Sequence, residues 1–192
     1  MGLTSSVSGN HSIRFKGKKW MWITPSGIPR YILQEKDLVK VHLEANSTIS
    51  HGTSTRSRYK SKPSIEWRMH ASIYNKRSKV NAVVHTHSPY TLAIAISINE
   101  FQHIIEEAKI VVGNPVIISN KPSGSLDLAN AVSNAFVGEK DEEQVRAVII
   151  RNHGVVSIGN NIYEARAVIE SLEEWAKIYT ISKILGGAKY VL

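Results

Sequence analysis

The chain contains no cysteine among its 192 residues. That absence excludes disulfides, zinc–thiolate sites and thiol nucleophiles together. Any transition metal must then be held by nitrogen and oxygen ligands. A run of about 18 apolar residues is also missing, so no membrane span is expected. The opening "MGLTSSVSGN" has neither the basic start nor the apolar stretch of a secretory leader. With no prenylation cysteine and no anchor tail, a soluble cytoplasmic protein is expected. The glycosylation-like "NHS" at Asn10 and "NST" at Asn46 are read as chance. Acidic residues are the scarcer sign, 16 against 24 basic ones, for a net charge of +8. The excess gathers in "RFKGKK" (Arg14 to Lys19) and "RSRYKSK" (Arg56 to Lys62). No nucleic-acid-binding module accompanies it. A solvated basic surface, or a field that draws small phosphorylated substrates, is therefore expected rather than a nucleic-acid partner.

What is present suffices for one sizeable core, with 42% apolar residues and no repeat or long linker. One domain over residues 1–192 is expected. The first half reads as short strands: "HSIRF" and "DLVKVHLE" alternate, and apolar "WMWITP" stops at a proline. "PSGIP" (Pro25 to Pro29) is a turn, and the polar stretch from Asn46 to Lys62 is a loop. Four helices follow. Ser64 is the expected N-cap of "IEWRMHASIYNK", and Ser88 that of "PYTLAIAISIN", with proline first. Ser125 precedes "LDLANAVSNAF". Asn161 opens the longest helix, with Glu164 as capping-box partner and Gly186-Gly187 as its end. Between them lie the strands "VNAVVH", "NPVIIS" and "VRAVIIR", the last running into "GVVSIG". This alternation predicts an α/β (α+β layered) domain.

Two histidines end the apolar run "AVVHTH". Side chains two apart on a strand face one way, so His85 and His87 are close enough to share a cation. Alone, such a pair is a weak signal. "VIIRNHGVV" strengthens it, because His153 follows a second apolar strand and precedes a glycine that allows a tight turn. Neighbouring strands ending at one edge would unite three imidazoles and leave a position open, the arrangement of catalytic zinc. Glu66, near the start of the helix after Ser64, sits where unpaired backbone N–H groups suit an anion. From local sequence alone, complementing the helix dipole accounts for it equally well. His70 shares a helical face with Glu66, as a ligand, a supporting neighbour or a packing residue.

The motifs "SGNHSIR", "ITPSGIP", "KPSIEWRMH", "AVVHTHSPYTLA", "RNHGVVSIG" and "IYEARAVIESLEEWAKIY", in this order and spacing, resemble the class II aldolase/adducin family and within it the L-fuculose-phosphate aldolases. The resemblance implies a three-layer fold with a central, mainly antiparallel sheet flanked by helices. It implies one Zn2+ per subunit, replaceable by Co2+ or Mn2+, held by His85, His87 and His153. Glu66 closes the resting shell and then moves a proton. Phosphate is bound by Gly9 and Asn10, by Ser26 and Gly27, and by Ser64 and Ile65. The implied reaction is reversible cleavage of a ketose 1-phosphate to dihydroxyacetone phosphate and a short aldehyde, through an enediolate that zinc stabilises. Family members assemble as homotetramers with sites at subunit interfaces, so a homotetramer is expected, with a phosphorylated sugar as the small-molecule partner.

Departures accompany the matches. Ile65 stands where relatives often carry a second serine. The chain begins almost at the first phosphate loop, where relatives carry an N-terminal helix. "QHIIEEAKIVVG" offers Glu106 and Glu107 in place of a tyrosine, and the sequence stops at Leu192, with Tyr190 near the end. These changes bear on which aldehyde is accepted. Ribulose-phosphate 4-epimerases of the same fold favour aspartate at the Glu66 position. Methylthioribulose-phosphate dehydratases keep the glutamate and histidines and stay open as an alternative. Adducin-like domains share the fold without the chemistry.

Overall fold

The computed structural model describes residues 2–44, 62–99, 102–137 and 145–192. The polar stretch 46–61, which holds most of the second basic cluster, lies outside them. The elements run β1 (Asn10–Ile13), β2 (Trp20–Ile23), β3 (Val39–His42), α1 (Trp67–Lys76), β4 (Ala82–Thr86), α2 (Pro89–Ser97), α3 (Glu106–Val112), β5 (Val116–Ile118), α4 (Leu126–Ala135), β6 (Ala147–Ile150), β7 (Gly154–Gly159) and α5 (Ile162–Ile184). Seven strands form one sheet in the order β3-β2-β1-β4-β7-β6-β5. Every pairing is antiparallel except the parallel β5–β6 edge.

Side-chain patterning explains the layers. In β1, β2 and β3 buried residues alternate with more exposed ones, the signature of a sheet covered on one face. β4 and β6 are buried at every position and β7 at all but its last, because helices pack on both faces there. One face meets α1 and α4 through Met21, Ile23, Val83, Val156, Trp67, Ile73 and Leu128. The other meets α2, α3 and α5 through Val84, Ile149, Val155, Ala95, Val112, Leu172 and Trp175. The result is the expected three-layer, mainly antiparallel architecture. No helix among the described residues is long and apolar enough to cross a membrane.

Three local expectations are corrected. Among the described residues there are five α-helices, since α3 forms in "EEAKIVV", a segment of seven residues that is too short to display a helical period of its own. α1 starts at Trp67 rather than Ile65. Ser64 closes a preceding turn, its carbonyl accepting from Trp67 N–H (3.1 Å) and its hydroxyl from Glu66 N–H (3.3 Å), which leaves Glu66 as the flanking residue. Ser88 flanks α2 but does not cap it, because its Oγ pairs with Thr86 Oγ1 (2.8 Å). The cap comes instead from α5: the Glu173 carboxylate accepts from the Tyr90 and Thr91 N–H groups (2.9 Å each) and from the Thr91 hydroxyl. Ser125 and Asn161 do cap α4 and α5, accepting from Leu128 and Glu164 N–H.

Candidate metal centre

The start of β1, the end of β4 and the start of β7 meet at one sheet edge, because β4 lies between the other two and runs against both. His85 sits in β4 opposite Asn10 on one side and Val156 on the other. His87 follows β4 directly, and His153 is the last residue of the turn joining β6 to β7. The left-handed residue of that turn is Asn152 (φ 57°), not the glycine. Asparagine tolerates that conformation well. Gly154 serves another purpose. A Cβ there would lie 2.4 Å from the Thr86 carbonyl oxygen and 2.7 Å from the His85 ring, so only hydrogen leaves the imidazoles room.

The three imidazoles come together as the spacing predicts. One nitrogen from each of His85, His87 and His153 lies within 4.8 Å of the others, and ring centroids are 5.0 to 5.6 Å apart. His85 is fully buried, and its Nδ1–H donates to the Val155 carbonyl (3.0 Å). A carbonyl only accepts, so this bond fixes the tautomer and leaves Nε2 bare, as a metal ligand requires. Burial, with His85 and His153 nearby, lowers His87 to about 4, so its ring is neutral at physiological pH.

Glu66 faces this group from across the pocket and is only 4% exposed. Its two oxygens stand 3.2 Å from His85 Nε2 and 3.1 Å from His153 Nε2. Burial alone would raise its carboxyl, but the contacts with His153 and His85 and the Asn10 amide outweigh it and hold the group below the ordinary carboxylate range. His85 Nε2 and Glu66 Oε1 are nevertheless buried without a hydrogen-bond partner. A cation between the imidazole nitrogens and the carboxylate would satisfy both. The donor set, three imidazoles and a carboxylate without thiolate, suits a divalent ion such as zinc.

Behind Glu66 runs a buried polar chain. Asn10 Nδ2 donates to Glu66 Oε2 (2.8 Å), and Asn10 Oδ1 meets His70 Nε2 (2.6 Å). His70 Nδ1 meets Ser12 Oγ (2.7 Å), and Ser12 in turn contacts the Tyr74 hydroxyl. His70 is thus outside the imidazole cluster, linked to it through Asn10 and Glu66.

The three segments expected to bind phosphate are tied to one another. Ser26 N–H donates to the Lys62 carbonyl and Ser64 N–H to the Thr24 carbonyl, which joins the second segment to the third. The first is joined to the second by Arg30, which nothing in the sequence singled out. Its guanidinium donates to the Val7 and Gly9 carbonyls (3.0 and 2.6 Å) and to those of Pro25 and Ile28 (3.2 and 3.1 Å). Ser26, Gly27 and Ile65 are exposed, whereas Gly9, Asn10 and Ser64 are buried. Arg30→Met should weaken binding of inorganic phosphate about tenfold, the equivalent of one charge-assisted hydrogen bond, with metal content unchanged. Calorimetry measures this, and an unaltered phosphate affinity would mean the loops keep their places without the clamp. Glu106 and Glu107 lie in the first turn of α3, and Tyr190 is 90% exposed.

A family model described as Class II Aldolase and Adducin N-terminal domain matches residues 1–180. The L-fuculose phosphate aldolase of Methanococcus maripaludis strain C5 is 33% identical over 180 residues, covering 94% of this chain and 89% of that protein. The 5-deoxy-D-ribulose 1-phosphate aldolase of Bacillus thuringiensis serovar kurstaki is 35% identical over 188 residues, covering 98% and 81%. Among solved structures, an L-fuculose 1-phosphate aldolase superposes with a TM-score of 0.80 at 29% identity, over all of this chain and 82% of the other.

Proposed function

Because the chain belongs to the class II aldolase and adducin family, we propose that it is a metal-dependent aldolase that reversibly cleaves a ketose 1-phosphate to dihydroxyacetone phosphate and a short aldehyde. The observation that carries this is the buried Glu66 carboxylate lying 3.1 and 3.2 Å from two imidazole nitrogens of a three-histidine group. His85, His87, His153 and the resting Glu66 would hold one zinc ion. When bound, that ion supplies a Lewis acid for the negative charge left as the carbon–carbon bond breaks.

The chain's own residues supply the rest. Gly9, Asn10, Ser26, Gly27, Ser64 and Ile65 offer small side chains, neutral donors and backbone amides to the phosphate. As the carbon–carbon bond breaks, the hydroxyl of the fragment that leaves as aldehyde gives up its proton to solvent, and the bonding electron pair stays on the carbon that becomes the carbinol of dihydroxyacetone phosphate. Glu66, in its acid form, returns a proton to that carbon, and in the synthetic direction removes it. Both states of one carboxyl follow from its surroundings. Against the imidazoles it is held as the anion; turned away from them, burial is left to raise it.

The two relatives are named for different sugars, which supports a reading at the level of ketose 1-phosphates rather than of one sugar. A homotetramer belongs to the same proposal, supported by the exposed apolar side chains Ile178, Ile181, Ile184 and Leu185 at the end of α5.

Chelation should abolish activity and zinc or cobalt restore it, while borohydride with substrate leaves the enzyme unharmed. Assays on L-fuculose 1-phosphate and 5-deoxyribulose 1-phosphate should release dihydroxyacetone phosphate. A dehydrated or epimerised sugar in its place would turn the assignment to the dehydratase or epimerase chemistry of the fold. Borohydride inactivation would point to a lysine imine and reject the metal mechanism.

A further inference from the structure

His70 is fully buried on α1, and both of its ring nitrogens are engaged. The directions of those bonds can be deduced. The Glu66 carboxylate only accepts, so the end of the Asn10 amide that faces it must be the NH2. Asn10 Oδ1 therefore faces His70, and since an amide oxygen only accepts, His70 Nε2 must carry the hydrogen. Burial lowers His70 to about 3, so at neutral pH the ring has a single N–H. Nδ1 is then bare and takes the Ser12 hydroxyl hydrogen, which leaves the Tyr74 O–H to donate to Ser12, whose hydroxyl oxygen (2.8 Å) and carbonyl (3.0 Å) both lie within reach. Every donor in the chain Tyr74, Ser12, His70, Asn10, Glu66 then meets an acceptor, apart from the second N–H of Asn10. The other His70 tautomer leaves Asn10 Oδ1 facing a bare nitrogen, and a flipped amide sets two oxygens against each other at Glu66.

We propose that His70 is a positioning residue for Glu66 that acts through Asn10, keeping the amide NH2 turned into the metal pocket. One hydrogen of that NH2 holds the carboxylate in its resting place. The second is available to the phosphate oxygen of the substrate. This second arm rests on the proposed ketose 1-phosphate activity; the first does not. A single nitrogen thereby links occupancy of the phosphate subsite to the placement of the base.

The test is a double-mutant cycle of His70→Leu and Asn10→Ala, with His70→Gln as the conservative variant, whose side-chain NH2 can restore the donor to Asn10. Zinc affinity is read by competition with a chromophoric chelator, which needs no substrate. Phosphate affinity is read by calorimetry with inorganic phosphate. Each single variant should weaken zinc about tenfold, within the range typical for partners that orient ligands. The double variant should be no weaker than Asn10→Ala alone, since both changes break one chain. His70→Gln should lie within about twofold of wild type, on the scale of the tenfold loss above. Effects that add in the double variant, or a Gln variant as impaired as the Leu one, would overturn the proposal. Should His70→Leu not fold, the Gln and Asn10→Ala variants still decide it, because a Gln variant matching Asn10→Ala rejects the donor role. If wild type binds zinc but neither phosphate nor any ketose 1-phosphate, the functional proposal falls while the zinc cycle still judges His70.

Discussion

Glu66→Gln should keep its metal and lose between about two and four orders of magnitude of turnover, the share that a positioned acid–base group contributes. The substitution preserves shape. The glutamine oxygen can still accept from Asn10 Nδ2 where Glu66 Oε2 now does. Three imidazoles remain to hold the ion. What is lost is the capacity to take up and release a proton. Metal content by elemental analysis should match wild type. Hydrogen exchange at the carbinol carbon of dihydroxyacetone phosphate, followed by NMR in deuterated solvent, should cease. Exchange at the wild-type rate would assign the proton transfer to some other group.

His87→Ala should release the metal outright, and activity with it. Removing a supporting partner of a ligand costs roughly 10- to 100-fold in affinity, and removing a ligand costs more. His87 is the informative choice among the three because it is only partly buried and lies just outside β4. His85, by contrast, is fully enclosed against Gly154 and Val155, so its truncation would also open a cavity. Circular dichroism and the melting temperature of the metal-free protein should therefore stay close to wild type for His87→Ala. Retention of stoichiometric metal by this variant would remove the imidazole cluster from the mechanism.

The three clustered imidazoles were legible because their chemistry is rare and their spacing periodic. His85 and His87 stand at strand spacing at the end of an apolar run, and His153 sits at a turn after another such run. The layered fold was equally visible in strands alternating with helices, and its three layers in the family resemblance. Other features were hidden because they depend on distant partners. Glu173 caps α2 from 83 residues away, and no local pattern signals it, so Ser88 looked like the cap. Arg30 resembled any surface arginine until four carbonyls from two loops converged on it. His70 was noted for sharing a face with Glu66, yet its partners Asn10 and Ser12 come from β1, 60 and 58 residues earlier. The glycine after His153 drew notice for the wrong property: what matters at Gly154 is missing bulk, not backbone freedom.

The register that sets Asn10 beside His85, and His85 beside Val156, also dictates when the ion can be captured. A slip of one residue along β4 would turn His85 towards the α5 layer and scatter the ligands. Until β1, β4 and β7 have zipped together from remote parts of the chain, the unfolded polypeptide offers only isolated imidazoles to the solvent. On the proposed metal role, ion uptake therefore follows the pairing of these strands, unlike small zinc domains that collapse around their metal, and the metal-free protein should keep its fold.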